Sequence, residues 1–141
     1  MLRQVLLGGG VSIATIVIHA VTMVAIIRAG RRLVTYGYVW PVPRVVIVMV
    51  VTVVILMLAH VVEIVIWSLA YAMVDVAPEG TDLLYFAFVN YTTLGYGDVV
   101  PLDRWRLIGP ITALNGVLMI GWSTAVIFEV LRTAVRGARR D

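Results

Sequence analysis

Three apolar stretches, each long enough to cross a bilayer, limit what this chain can fold into. They cover about residues 5–27, 45–73 and 107–131. A hydrocarbon core of roughly 30 Å takes about 20 helical residues, so each stretch predicts a membrane-spanning helix. The second stretch is longer than this minimum, which predicts tilt or an end that projects from the membrane.

Charged residues are too few for a water-soluble fold. They make up 13% of the 141 residues, and 62% are hydrophobic, against about 25% and 45–50% in soluble domains. The chain has no cysteine, which excludes disulfides and thiolate metal sites. The arginines lie outside the apolar stretches, so their number does not indicate nucleic-acid binding. We therefore predict one all-α integral membrane domain.

The distribution of arginine predicts the orientation of the chain, because short cytoplasmic loops collect arginine. Residues 74–106 hold five acids and two arginines. We therefore expect these residues and the N-terminus outside the plasma membrane and the C-terminus in the cytoplasm. The segments expected in the cytoplasm hold Arg28, Arg31, Arg32 and Arg44 in the first loop and Arg132, Arg136, Arg139 and Arg140 in the tail.

Several residues near the ends of the spans are expected to contact lipid headgroups. Aromatic rings with a polar edge prefer the membrane–water interface, and each arginine near anionic lipid gains about 1 kcal/mol. The aromatic residues are Trp40, Trp67, Tyr71 and Trp105. The arginines expected to bind anionic headgroups are Arg28, Arg31, Arg32, Arg136, Arg139 and Arg140.

A fourth apolar segment is too short to span. Residues 82–92, DLLYFAFVNYT, predict a helix roughly 16 Å long at 1.5 Å per residue. Thr81 is expected to cap its start, with Asp82 favourable in the first turn. Such a segment must enter the membrane and return, and its returning backbone must be buried in protein or line a watery cavity.

The returning chain reads TLGYG at residues 93–97. Backbone dihedrals must alternate in sign to aim successive carbonyls at one axis, and glycine reaches a positive φ without steric cost. Gly95 and Gly97 occupy alternate positions, as this requires. Four such segments around one axis would form rings of carbonyl oxygens able to replace the hydration shell of a potassium ion. The Thr93 hydroxyl would add an inner ring.

The sequence TTLGYGD at residues 92–98 resembles the signature filter of potassium channels. The order of span, short pore helix, filter and span over about residues 45–131 is similar to that family's pore domain. The resemblance implies a homotetramer that conducts K⁺ passively, without enzymatic activity and with no cofactor besides the permeant ion. It implies a filter of Thr93, Leu94, Gly95, Tyr96 and Gly97, with K⁺ bound at the first four and Asp98 at the outer mouth.

Three features of this chain depart from the family's usual pattern. Leu94 stands where valine is usual, Tyr85 and Phe86 replace paired tryptophans on the pore helix, and Val89 occupies a position where some members carry glutamate. The Leu94 carbonyl would still point inward. We therefore expect selectivity to be kept, with different packing behind the filter.

The chain divides into three predicted parts: the first span with its Arg-rich loop (residues 1–44), the pore domain (residues 45–131) and a basic cytoplasmic tail (residues 132–141). The first span has no arginine ladder, so no voltage sensor of the usual kind is expected. With only about ten residues after the third span, we expect no cytosolic ligand-binding domain on this chain. We expect the first span to pack on the lipid-facing side of the second through the small residues of LLGGGVS, residues 6–12.

Ionisable residues inside a membrane are rare and usually turn inward. His60 and Glu63 lie at i and i+3 on one face of the second span. We favour a buried hydrogen-bonded pair, with Asn115 or a pore-helix backbone group as partner, over a proton-sensitive gate or a metal site. His19, alone in the first span, is expected to be a buried and hydrogen-bonded histidine.

The third span carries further candidates, each with two interpretations. Gly116 and Gly121 either form a gating hinge or allow close packing. Glu129 either contributes to an acidic ring or pairs with Arg132 at i+3, and we favour the pair. Four residues spaced for one helical face either line a hydrated cavity, which we favour, or link neighbouring helices: Thr112, Asn115, Met119 and Ser123.

Two alternatives to a potassium channel can be compared with the sequence. A potassium transporter or accessory subunit of the same pore fold would usually carry four pore-loop repeats and a degraded filter, whereas this chain has one repeat and an intact GYG. A membrane enzyme that uses His60 and Glu63 would need further ligands. The only further candidate in the sequence is His19, and its position in the first span does not place it near His60 and Glu63.

Overall fold

The protein is mostly helical in the computed structural model, which describes the backbone of residues 1–36 and 41–138 and the side chains of residues 1–30, 32 and 43–136. Helix α1 spans Leu2–Tyr36, α2 spans Pro41–Met73, α3 spans Leu83–Tyr91 and α4 spans Ile108–Ala138, with one 3₁₀ turn at Asp103–Trp105. Helices α1, α2 and α4 are long and apolar enough to cross a membrane. The predicted all-α fold with three spans is confirmed.

The first two helices extend further toward each other than the sequence predicts. Because α1 ends at Tyr36 and α2 begins at Pro41, the four arginines assigned to a loop lie on helices: Arg28, Arg31 and Arg32 on α1 and Arg44 on α2. Hydropathy marks the apolar part of a helix and not its polar end, which explains the difference. Trp40, Arg139 and Arg140, for which we expect headgroup contacts, lie outside the described residues.

Helix α1 runs parallel to α4 and packs closely against it. Gln4 Oε1 accepts a hydrogen bond from Leu107 N at 2.7 Å, and Gly8 faces Ile111 one turn further along both helices. A Cβ at Gly8 would lie 2.8 Å from Ile111 Cγ2, so this approach requires glycine. The first span does contact the second, as predicted, but Gly8 of its small-residue segment faces α4 and not α2.

Helix α2 runs antiparallel to α4, and polar side chains join the two within the core. Trp67 Nε1 donates to Asn115 Oδ1 at 3.0 Å, and the Tyr71 and Thr112 hydroxyls lie 2.7 Å apart. Trp67 and Tyr71 are fully buried, although the sequence predicts both at the membrane–water interface. Their polar atoms find partners on α4, so the rings can be buried in the bundle.

Two apolar clusters hold the helices together. One joins α2, α3 and α4 around Trp67, Tyr71, Phe86 and Ile108. The other joins α1, α2 and α4 nearer the C-terminal end of α4, around Met23, Leu56, Val126 and Val130. The first cluster fixes the position of α3, and the second fixes α1 against α2 and α4.

Helix α3 runs from one end of the bundle to its middle, and the chain then returns. Asp82, not the predicted Thr81, caps the helix, because the Asp82 side chain accepts from Tyr85 N at 3.0 Å. At its other end the Tyr91 carbonyl lies against Gly116 on α4. The chain is back at the end of α2 when Leu102 N donates to Val76 O at 2.9 Å. This path matches the predicted entry and return.

Candidate functional site

The return segment, residues 92–98, begins where α3 ends in a Schellman motif. Thr93 N donates to Asn90 O and Leu94 N donates to Val89 O, both at 3.0 Å, and these two bonds define this helix end. The motif holds Thr93 in the left-handed region with φ 59°. Glycine is usual there, and a β-branched residue is a genuine outlier. Strain of this kind clusters at functional sites.

The sign of φ alternates along the return segment. Thr93, Gly95 and Gly97 have φ values of 59°, 58° and 77°, whereas Leu94 and Tyr96 between them do not have positive φ. The predicted positive φ at both glycines is confirmed. Thr93 is a third such position, which the sequence did not reveal because threonine rarely adopts this conformation.

The side chains of the return segment are uncovered in the single chain. Leu94 is 54% exposed and Tyr96 is 67% exposed. The far end of the segment is nevertheless tied to α3, because Tyr85 Oη donates to Asp98 Oδ2 at 2.7 Å. This hydrogen bond to a carboxylate raises the pKa of the Tyr85 hydroxyl. Tyr85, one of the positions that depart from the family pattern, therefore anchors the predicted outer mouth.

Five side chains form a closed polar ring at the inner end of α3: His19, His60, Glu63, Tyr91 and Ser123. His19 Nδ1 lies 2.7 Å from Glu63 Oε1, and Tyr91 Oη donates to Glu63 Oε2. His60 Nδ1 lies 2.9 Å from Tyr91 Oη, and His60 Nε2 lies 2.9 Å from Ser123 Oγ. Ser123 Oγ lies 3.3 Å from His19 Nε2, which closes the ring.

The polar ring connects all four helices and is shielded from solvent. The side chains of His19 and Glu63 are fully buried, and that of His60 is 18% exposed. The Trp122 ring packs against His19 with 5.4 Å between ring centroids. Since Tyr91 is the last residue of α3, the ring holds the three long helices to the start of the return segment.

Sequence reasoning identified only part of this ring. The favoured hydrogen-bonded state of His60 and Glu63 is present, but α3 contributes the Tyr91 side chain instead of a backbone group. Asn115, the other suggested partner, bonds to Thr15 and Trp67. His19 contacts Glu63 directly, contrary to the expectation that it lies elsewhere. Its isolation in an apolar span was the available signal, while the packing of α1 on its neighbours was not readable.

One group of described residues brings metal-ligating side chains together. The ligand atoms of His19, His60 and Glu63 all lie within 4.8 Å of one another. Each ligand atom already contacts another member of the polar ring. The arrangement therefore fits a closed hydrogen-bonded ring without further ligands.

The four α4 residues expected to line a cavity lie inside the single subunit instead. Thr112, Asn115, Met119 and Ser123 are all buried, and the three polar members bond to side chains of α1 and α2. The structure therefore supports the alternative interpretation, in which they link helices. The uncovered face of α4 is mostly apolar and includes Leu114, Val117, Gly121, Thr124 and Phe128.

The remaining α4 candidates differ in their surroundings. A Cβ at Gly116 would lie 2.0 Å from the Tyr91 carbonyl oxygen, whereas a Cβ at Gly121 would meet nothing within 4 Å. Gly116 is therefore needed for close packing of α3 on α4. Glu129 pairs with Arg132 at 2.7 Å, as the favoured interpretation predicts.

A comparison with known protein families identifies the family of this chain. A protein-family model described as ion channel matches residues 59–133, which is just over half of the chain. The match begins in the second half of α2, includes α3 and the return segment, and ends in α4. No curated protein and no solved structure matches the chain significantly. The match over α2, α3 and α4 shows that this chain, an integral membrane protein by its three apolar helices, belongs to that ion channel family.

Proposed function

We propose that the chain is the subunit of a homotetrameric potassium-selective channel, with residues 45–131 as its pore domain. The observation that carries this proposal is the alternating sign of φ from Thr93 to Gly97. Such a backbone turns carbonyl oxygens toward one side, and four copies around an axis would give stacked oxygen rings able to replace the hydration shell of K⁺. Membership of an ion channel family supports conduction as such.

The residues of the return segment take distinct roles in this proposal. Gly95 and Gly97 allow the backbone to alternate, and the Thr93 hydroxyl adds an inner ring of oxygens. Asp98 shapes the outer mouth and is held by Tyr85. K⁺ binds at Thr93, Leu94, Gly95 and Tyr96.

Assembly is supported by what the single chain leaves uncovered. One chain contributes one return segment, and that segment exposes Leu94 and Tyr96. Closed fourfold symmetry would bring four return segments together and cover these side chains. The apolar face of α4 that contains Leu114 and Phe128 would then meet the central cavity or a neighbouring subunit.

We place the N-terminus outside and the C-terminus in the cytoplasm of the plasma membrane. Because α1 and α4 run parallel, the exposed Arg28 and Arg32 lie at the same end of the bundle as Arg136. Arginine collects on the cytoplasmic side of membrane proteins and is attracted to anionic lipid there. The return segment then opens toward the outside.

The test compares two glycine variants that share a backbone conformation but differ in position. Gly97 and Gly80 both have positive φ, 77° and 82°, and a Cβ at either would meet nothing within 4 Å. Each Gly→Ala change therefore adds a similar strain of about 1–2 kcal/mol. In liposomes with purified protein, we expect Gly97→Ala to abolish potassium flux and Gly80→Ala to retain it with wild-type preference over sodium.

Two outcomes would count against the proposal. Unchanged flux and unchanged K⁺/Na⁺ preference in Gly97→Ala would show that residues 93–97 do not form the filter. A tetramer of the wild-type protein that passes no ion would instead favour an accessory subunit of the same pore fold.

A further inference from the structure

The polar ring requires one proton more than its side chains ordinarily carry. Each of the five contacts that close the ring needs one proton to be a hydrogen bond. A further approach, His60 Nδ1 to Glu63 Oε2 at 3.4 Å, adds no proton to this count because it can only share the one on His60 Nδ1. An ionised glutamate supplies none, and two neutral histidines, one tyrosine and one serine supply one each within the ring. Four protons therefore face five contacts.

The missing proton can be assigned to the contacts of Ser123. Tyr91 donates to Glu63, so His60 Nδ1 donates to the Tyr91 oxygen, and His19 Nδ1 donates to the other Glu63 oxygen. Both histidine Nε2 atoms are then acceptors that face Ser123 Oγ at 2.9 and 3.3 Å. A hydroxyl has a single proton and can satisfy only one of them. A buried acceptor without a donor costs stability.

A fifth proton satisfies every contact and also removes the net charge. With four protons the ring carries a charge of −1 among apolar helices, which is unfavourable. With five it is neutral overall, and a sixth would give a positive charge and two protons in one contact. The titratable groups that meet here are His19 from α1, His60 and Glu63 from α2, and Tyr91 from α3. Helix α4 contributes the uncharged Ser123 and Trp122.

We propose that the polar ring is a site for a single proton and that this proton couples pH to the return segment. The inference rests on the proposed function of that segment as the filter. Tyr91, two residues before Thr93, links the ring to the return segment. Its hydroxyl takes part in two ring contacts, and its carbonyl lies against Gly116. Loss of the proton leaves one contact of Ser123 without a hydrogen bond, which opens the ring that holds Tyr91 at the end of α3.

The proton is a better occupant of this site than a divalent transition metal, although histidine and carboxylate are suitable metal ligands. A divalent ion beside one carboxylate would leave a positive charge in the bundle. It would also displace the contacts of Tyr91 and Ser123, whereas a proton accounts for all five. Potassium flux is therefore expected to peak in the pH range where the ring holds five protons and to fall on both sides of it.

The Glu63→Gln variant tests this count directly. The amide contributes one N–H to the ring, so five protons fill five contacts with no charge and no exchangeable carboxyl proton. Between about pH 4 and about pH 9, which brackets the ordinary titration of glutamate and histidine, wild-type flux should change about two- to tenfold, the effect of one hydrogen bond on an equilibrium. The flux of Glu63→Gln should stay nearly flat over the same range.

The control is Glu129→Gln, which removes a carboxylate of α4 that pairs with Arg132 outside the ring. It should keep the wild-type pH profile. The readout is the ratio of the highest to the lowest flux of each variant within this pH range. A change that scales the flux of a variant equally at every pH does not affect this ratio. A wild-type pH profile in Glu63→Gln, or a pH response that disappears when a chelator strips zinc from the wild-type protein, would overturn the proposal.

A second measurement needs neither flux nor a variant. The chain has two histidines, both in the ring, so histidine-selective ¹⁵N labelling reports on the ring alone. We expect His19 and His60 to shift together in one coupled step; two independent titrations would overturn the single-proton site. Selective flux without pH dependence would overturn the coupling and leave the proposed function intact. A coupled histidine step in a protein that passes no potassium would instead overturn the proposed function.

Discussion

Thr93 has a backbone conformation that threonine rarely adopts. The Schellman end of α3 places it at φ 59°, where glycine avoids the Cβ clash that costs other residues about 1–2 kcal/mol. Threonine brings a hydroxyl to the position where the proposed filter begins. The two glycines that follow could be predicted from their spacing, whereas the conformation of Thr93 depends on how α3 ends and could not.

The strained backbone of Thr93 and the proposed role of its hydroxyl predict opposite effects of Thr93→Gly on stability and on selectivity. Removing the Cβ relieves the strain, so the variant should be about 1–2 kcal/mol more stable per subunit than Thr93→Ala, which also lacks the hydroxyl. Both variants should lose K⁺/Na⁺ preference in a liposome flux assay. Thermal unfolding of the purified proteins provides the comparison, and a Thr93→Gly protein no more stable than Thr93→Ala would refute the strain.

The position of each helix in the sequence was largely predictable, but which helices pack against each other was not. Long apolar runs indicate three spans, and the half-length run at residues 82–92 indicates the short helix. The periodicity of Thr112, Asn115 and Ser123 shows that they share a face, but not that this face meets α1 and α2 instead of a cavity. The polar ring could not be predicted for the same reason, since it depends on the packing of α1 against α4 at Gly8.

Packing of α3 on α4 predicts different outcomes for two glycines of one helix. Gly116→Ala would place a Cβ against the Tyr91 carbonyl, and overpacking of this kind typically costs about 1–3 kcal/mol. Gly121→Ala meets open space and should be neutral or stabilising by up to about 1 kcal/mol, because alanine is the better helix former. Thermal unfolding distinguishes them, and equal stability of the two variants would contradict the observed contact.

At the scale of the whole molecule, a family match, an alternating backbone and an uncovered return segment lead to one account. Membership of the family supports ion conduction, and the backbone geometry of residues 93–97 supports the proposed preference for potassium. Helix α1 lies outside the matched residues but contributes His19 to the polar ring at the start of the return segment. This chain thus combines the matched segment with a helix that reaches the centre of the same bundle.

The most direct test of the central claim is the reversal potential of the purified protein in a planar bilayer, with potassium on one side and sodium on the other. If four return segments form a filter of backbone oxygens, the current should reverse close to the potassium equilibrium potential. A reversal near zero would show that the channel does not distinguish the two ions. The alternating backbone of residues 93–97 would then not be a potassium filter.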